Sequence, residues 1–320
     1  MNEQMGSIEF DDKKSLENLK ESKSFYLDQD LQKELRGLTI GSAEVLEENS
    51  KRILQNLQEL RQSNGRYRIA YENNIDRARE YTSVIRPCHE TSGKALLQIL
   101  EDGKFLPHYE ARRQYPDINA RTTEADKGIN SDLSIFCGLE LFKGLGDKYS
   151  VVFNKEVLER PTTYLAFNDL AECLSTSASQ YKSKSYLDQY RKRIIPGRDA
   201  RKILSESLAT FQQSYYTDFN ERALMGNHEK MGVPESCGTG DSGRPEIQLL
   251  NPTVQDIEAV VIRDVSGRKI NNDVDEKVLV ERLQKLDIPV KYLSDIKEVK
   301  GEKSAWGSET FFKELEQNQS

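Results

Sequence analysis

Apolar residues recur at helical spacing between positions 46 and 60: Leu46, Ile53, Leu54, Leu57 and Leu60, with charged residues between them. That period predicts an amphipathic helix, and Ser42 ahead of Ala43-Glu44 offers a side-chain oxygen to cap it. Residues 1–80 as a whole read as a helical, polar N-terminal region. The pattern changes at Tyr81-Thr-Ser-Val-Ile-Arg86, where β-branched and aromatic residues cluster and predict a strand. Helical periodicity returns over Lys94–Leu100 and closes at Gly103, a C-cap glycine. Residues 107–131 read as a long polar loop. Leu133–Leu141, Tyr149–Phe153 and Thr162–Phe167 predict strands, and Asn168–Leu174 a capped helix start. Residues 183–224 are helical in pattern, broken at Pro196-Gly197, and Met225–Pro245 is a Gly/Pro/Ser-rich loop. Glu246–Leu250 and Ile257–Ile262 predict strands, 275–286 a helix and Ile288–Leu293 a last strand. The strands are short and joined by loops rather than by regular crossover helices. That predicts an α+β domain rather than a doubly wound parallel sheet. The expected division is a helical region over 1–80, a mixed domain over 81–298 and a polar C-terminal tail over 299–320.

Composition narrows the function classes. The 320 residues carry 46 Lys+Arg against 53 Asp+Glu, a formal net charge of -7, which argues against sequence-independent binding to nucleic acid. No run approaches about eighteen consecutive apolar residues, so no membrane span is expected. The opening Met-Asn-Glu-Gln-Met-Gly-Ser-Ile-Glu-Phe-Asp-Asp-Lys-Lys has neither a basic nor an apolar signal segment, so no Sec signal peptide is expected. Cys88, Cys137, Cys173 and Cys237 lie far apart, which disfavours a disulfide framework. His89, His108 and His228 are scattered and show no metal-ligand spacing, so no metal is expected.

Three motifs bear on chemistry. Gly238-Thr-Gly240-Asp-Ser-Gly243 matches the dinucleotide-binding glycine spacing, but a loop precedes it and a strand follows, the reverse of what that fingerprint requires. Gly240-Asp-Ser242-Gly resembles the nucleophile segment of trypsin-like proteases. The long helical stretches do not suit that fold, and nothing marks an Asp to orient a His.

The third is a constellation in order along the chain. His89-Glu-Thr91 ends a strand after Arg86-Pro-Cys. Tyr164-Leu-Ala166 lies on a strand that leads into a helix with Ser175-Thr-Ser177-Ala178, followed by Tyr181. Glu246 begins a late strand. This arrangement resembles the ADP-ribosyltransferase family, and within it the His-Tyr-Glu branch of poly(ADP-ribose) polymerases and diphtheria-type toxins more than the Arg-Ser-Glu branch. Arg86 and Ser175-Thr-Ser177 could serve the second branch, but Glu246-Ile-Gln248 lacks a second glutamate and Arg244 stands two residues before Glu246. The branch stays open.

The resemblance implies an ADP-ribosyltransferase-like split mixed β-sheet with flanking helices over 81–298. It implies NAD as co-substrate, no metal, and Glu246 as the catalytic carboxylate. His89, Thr91, Tyr164, Tyr181, Arg86 and Ser177 would bind NAD. A carboxylate at the ribose would stabilise the positive charge that develops as the nicotinamide–ribose bond breaks. One carboxylate suffices, because nicotinamide leaves neutral.

The expected product is a mono-ADP-ribosylated protein, with a host-cell protein as acceptor. The tail Gly307–Gln317 is similar to the glutamate-rich C-terminal signals of bacterial type IV effectors. The enzyme is therefore expected in the producer's cytoplasm, or injected into a host as a toxin or virulence effector. The alternative is a non-catalytic α+β interaction module that binds a partner protein through residues 1–80.

Overall fold

The computed structural model of the protein describes residues 40–107, 110–111, 114–115, 133–139, 148–166, 191–211, 246–263, 274–292 and 309–317. Helix α1 (Ala43–Ser63) is capped by the Ser42 side chain, which accepts from the Val45 amide. It buries Leu46, Ile53, Leu57 and Leu60, the stripe that the sequence period marks. Asn64 breaks the chain and caps helix α2 (Gly65–Val84) by accepting from the Arg66 amide at 3.0 Å.

Tyr81–Arg86 is thus not a strand, as its β-branched residues suggest. Tyr81 and Val84 fall three apart and are buried at the end of α2, with Ile85 as the C-cap. Pro87 then pushes Arg86 out of the helical region and ends the helix. Strand β1 (Cys88–Thr91) follows, then α3 (Gly93–Asp102) between the Ser92 cap and Gly103 at φ 73°.

The strands form two four-stranded sheets. Sheet I has the order β1, β3 (Tyr149–Phe153), β7 (Ile257–Ile262), β8 (Val290–Tyr292); its pairs are antiparallel except β7–β8, which is parallel. Sheet II has the order β2 (Ile135–Cys137), β6 (Glu246–Leu249), β4 (Thr163–Ala166), β5 (Ile194–Pro196), all antiparallel. The two sheets meet where Cys88 and Gly138 exchange backbone hydrogen bonds at 2.8 Å. Strand β5 falls inside 183–224, where a helical pattern is expected. Ile194-Ile195-Pro196 sits at a sheet edge, where proline is tolerated, and helix α4 (Ala200–Phe211) begins only after the Gly197–Asp199 turn.

The protein is α+β. One core joins both sheets to the helices. Tyr149, Val151, Phe153, Val260 and Ile262 come from sheet I, and Ile135, Cys137, Leu165, Ile195, Ile247 and Leu249 from sheet II. Leu57 of α1, Tyr81 of α2, Leu96 of α3, Leu208 of α4 and Leu279 of helix α5 (Glu276–Lys285) complete it. Helix α6 (Glu309–Gln317) lies on the other face of sheet I, where Phe311, Phe312 and Leu315 pack with Val84, Cys88, Val152, Ala259 and Val261. No helix among the described residues is long and apolar enough to cross a membrane.

Candidate functional site

Side chains alternate across a strand, so the core residues of sheet II identify its second face. Ile247 and Leu249 point into the core, and Glu246 and Gln248 therefore share the opposite face of β6. In the register, Gln248 stands opposite Tyr164 of β4 on one side and Phe136 of β2 on the other, while Glu246 stands opposite Ala166. Directly opposite residues point to the same face. Phe136, Gln248 and Tyr164 thus form one row across three strands, with Glu246 one step along β6.

Glu246 is partly exposed, whereas Gln248 is 2 % and Tyr164 7 % exposed. The Gln248 amide donates from Nε2 to Oε1 of Glu246 at 2.8 Å. The two candidates Tyr164 and Glu246 therefore fall on neighbouring strands of one face.

His89 of β1 does not share that face: it stands opposite the core residue Val151 and touches sheet II only at a backbone carbonyl. Its Nδ1 lies 2.8 Å from the Phe136 carbonyl oxygen, and its ring packs edge-on against Phe105, with centroids 6.0 Å apart. With a carbonyl as partner, Nδ1 is the protonated nitrogen, and in the neutral ring Nε2 carries the lone pair. Thr91, two residues on and on the same side of β1, is buried opposite Tyr149.

Arg86 does not join this group. It is fully buried on the α6 side of sheet I, donating from Nε (2.9 Å) and Nη2 (3.1 Å) to the Glu258 carboxylate and from Nη1 to the Val84 carbonyl. Glu316 of α6 stands 3.8 Å from its Nη1, and the Phe312 ring lies 5.8 Å from its guanidinium carbon. An arginine committed to a buried carboxylate in this way holds structure rather than ligand. Tyr181, Ser177 and Ala178 lie outside the described residues, as do Arg244, the Met225–Pro245 loop, the Asn168–Leu174 helix start and most of 107–131.

Cys137 faces the core beneath the site. Burial pushes its thiol well above the usual range, and Cys88 and Glu246 push it further. A thiol held protonated is no nucleophile, and this one faces away from Glu246 and Gln248. Among the described residues no group of three or more His, Cys, Asp or Glu could hold a metal ion.

Sequence reasoning missed Gln248 as a participant, noting it only as the absence of a second carboxylate. The i, i+2 spacing on a strand was the signal that could have found it. A scan of family models finds no match to the chain, and no curated protein matches its sequence significantly.

Proposed function

We propose that the protein is an NAD-dependent mono-ADP-ribosyltransferase that modifies a protein, in this reading a host-cell protein. The observation that carries the proposal is the shared face of sheet II. Tyr164 and Glu246 sit there on adjacent strands. Two four-stranded sheets that meet at one bridge, one of them mixed, support the split-sheet fold of that family.

In the reaction, the bond from ribose C1′ to the nicotinamide nitrogen breaks, and its electron pair leaves with neutral nicotinamide. A nucleophilic atom of the acceptor forms the new bond to C1′ and gives up its proton. The Glu246 carboxylate accepts a hydrogen bond from a ribose hydroxyl and stabilises the oxocarbenium-like charge. Tyr164 stacks on the nicotinamide ring; His89 and Thr91, which face the core side of β1, are given no contact with NAD in this reading.

The Arg-Ser-Glu set is the branch this arrangement disfavours, since Arg86 is spent on Glu258. Glu246→Gln keeps the shape of the side chain and removes its charge. It should leave the fold intact and lower NAD hydrolysis and transfer by about 10²–10³, measured as nicotinamide release. A folded variant with full activity would overturn the assignment.

A further inference from the structure

We propose that Gln248 is a positioning residue for Glu246: its side-chain amide holds the carboxylate in one orientation on the face of β6. The proposal rests on the ADP-ribosyltransferase reading above. β6 is a central strand, flanked by β2 and β4, and its other described residues beyond Glu246 are the aliphatic Ile247 and Leu249. A 2 %-exposed amide between Tyr164 and Phe136 costs stability unless its polar atoms are satisfied. The hydrogen bond from Nε2 to Glu246 Oε1 at 2.8 Å meets part of that need and gives the amide a task.

Glu246 has the opposite problem. It stands at the start of the strand, partly exposed, on a long side chain with several rotamers. A carboxylate that must meet a developing charge works best when its geometry is set before the reaction. An amide suits this role because it donates without titrating. A second carboxylate at the same distance would compete for a proton and repel the first. The amide engages Oε1, and a carboxylate offers two oxygens with about four lone-pair directions between them. The pair can thus be ordered and still accept from a ribose hydroxyl.

The test is a double-mutant cycle read by steady-state NAD hydrolysis on the full chain. Gln248→Met keeps the length of the side chain and removes the donor. Because hydrogen bonds to charged groups are among the stronger ones, kcat should fall about tenfold or more, with KM for NAD within about twofold. In the Glu246→Gln background the same substitution should change kcat no further, because Gln248 acts only through that carboxylate. A merely structural role predicts the same loss in both backgrounds.

If Gln248→Met does not fold, Gln248→Asn keeps an amide on the strand but withdraws it by one methylene, and should show the same loss and the same non-additivity. Unchanged kcat in a folded Gln248 variant, or an equal loss in both backgrounds, overturns this proposal and leaves the transferase reading standing. A wild-type chain that neither hydrolyses NAD nor responds to Glu246→Gln overturns both.

Discussion

Sheets I and II each give one face to the shared core, and they part on the other. On sheet I that face is sealed: Cys88, Val152, Ala259 and Val261 lie under Phe311, Phe312 and Leu315 of α6. Arg86 is locked there between Glu258 and Glu316. On sheet II the second face carries Phe136, Tyr164, Gln248 and Glu246, two aromatic rings and a hydrogen-bonded amide–carboxylate pair, whereas on sheet I the charged pair Arg86–Glu258 is enclosed beneath α6. Apolar side chains on both faces of a strand stabilise the fold and can do little else. Both second faces hold polar groups, but only the row on β6 includes a partly exposed carboxylate, while the Arg86–Glu258 pair beneath α6 is closed to solvent. The same contrast separates the two charged candidates: Arg86 belongs to the sealed face, and Glu246 to the other.

The largest effect expected from this contrast is on sheet I. Phe312 of α6 is fully buried against sheet I, and Phe312→Ala should cost about 3–5 kcal/mol of stability by opening a cavity there. The check is chemical denaturation, paired with kcat for NAD hydrolysis below the melting range. Stability should fall while turnover of the folded protein stays near wild type. A stable variant with lost turnover would break the division of labour between the two faces.

A smaller effect is expected at Asp256, in the Val254–Asp256 turn that leads into β7. Its carboxylate accepts from Arg160 Nη1 at 2.8 Å and from the Thr253 amide at 2.8 Å. Burial works to raise the Asp256 carboxyl, but the hydrogen bonds from Arg160 and the Thr253 backbone outweigh it and hold the group below its ordinary range. A carboxyl depressed in the folded state adds stability that is fully present above its unfolded pKa, near about 3.9, and that is lost as pH falls through the folded value. Asp256→Asn should therefore cost about 1–3 kcal/mol at neutral pH. The gap between wild type and variant should narrow below about pH 4, as thermal melts across pH would show. A gap that widens on acidification would refute the account of this turn.

Much of the fold can be read from local pattern. The α1 stripe with its Ser42 cap, the Gly103 cap and the apolar runs at 149–153 and 257–262 all lie where the sequence pattern places them. The failures have physical causes. Tyr81–Arg86 has strand-like residues, but its burial follows a helical repeat closed by Pro87. Ile194-Ile195 is too short a run to announce a strand and gains its place by pairing with Leu165 and Ala166.

The polar tail conceals a packing helix. Phe311, Phe312 and Leu315 recur at i, i+1 and i+4 among acidic residues, and the unbroken burial of β7 signals a strand covered on both faces. Sequence alone names His89, Tyr164 and Glu246 as candidates. That β6 inserts between β2 and β4, and so sets Gln248 between two aromatic residues, is a long-range pairing that no local pattern encodes.

The central claim is that the face of β6 turns NAD into a donor of ADP-ribose. Its most direct test is to incubate the full chain with NAD labelled in the adenosine portion and a host-cell lysate, following free nicotinamide and protein-bound label together. The account predicts nicotinamide release and covalent label on protein, both lost in parallel in Glu246→Gln. No nicotinamide release from the folded wild-type chain, or label that survives Glu246→Gln undiminished, would contradict it.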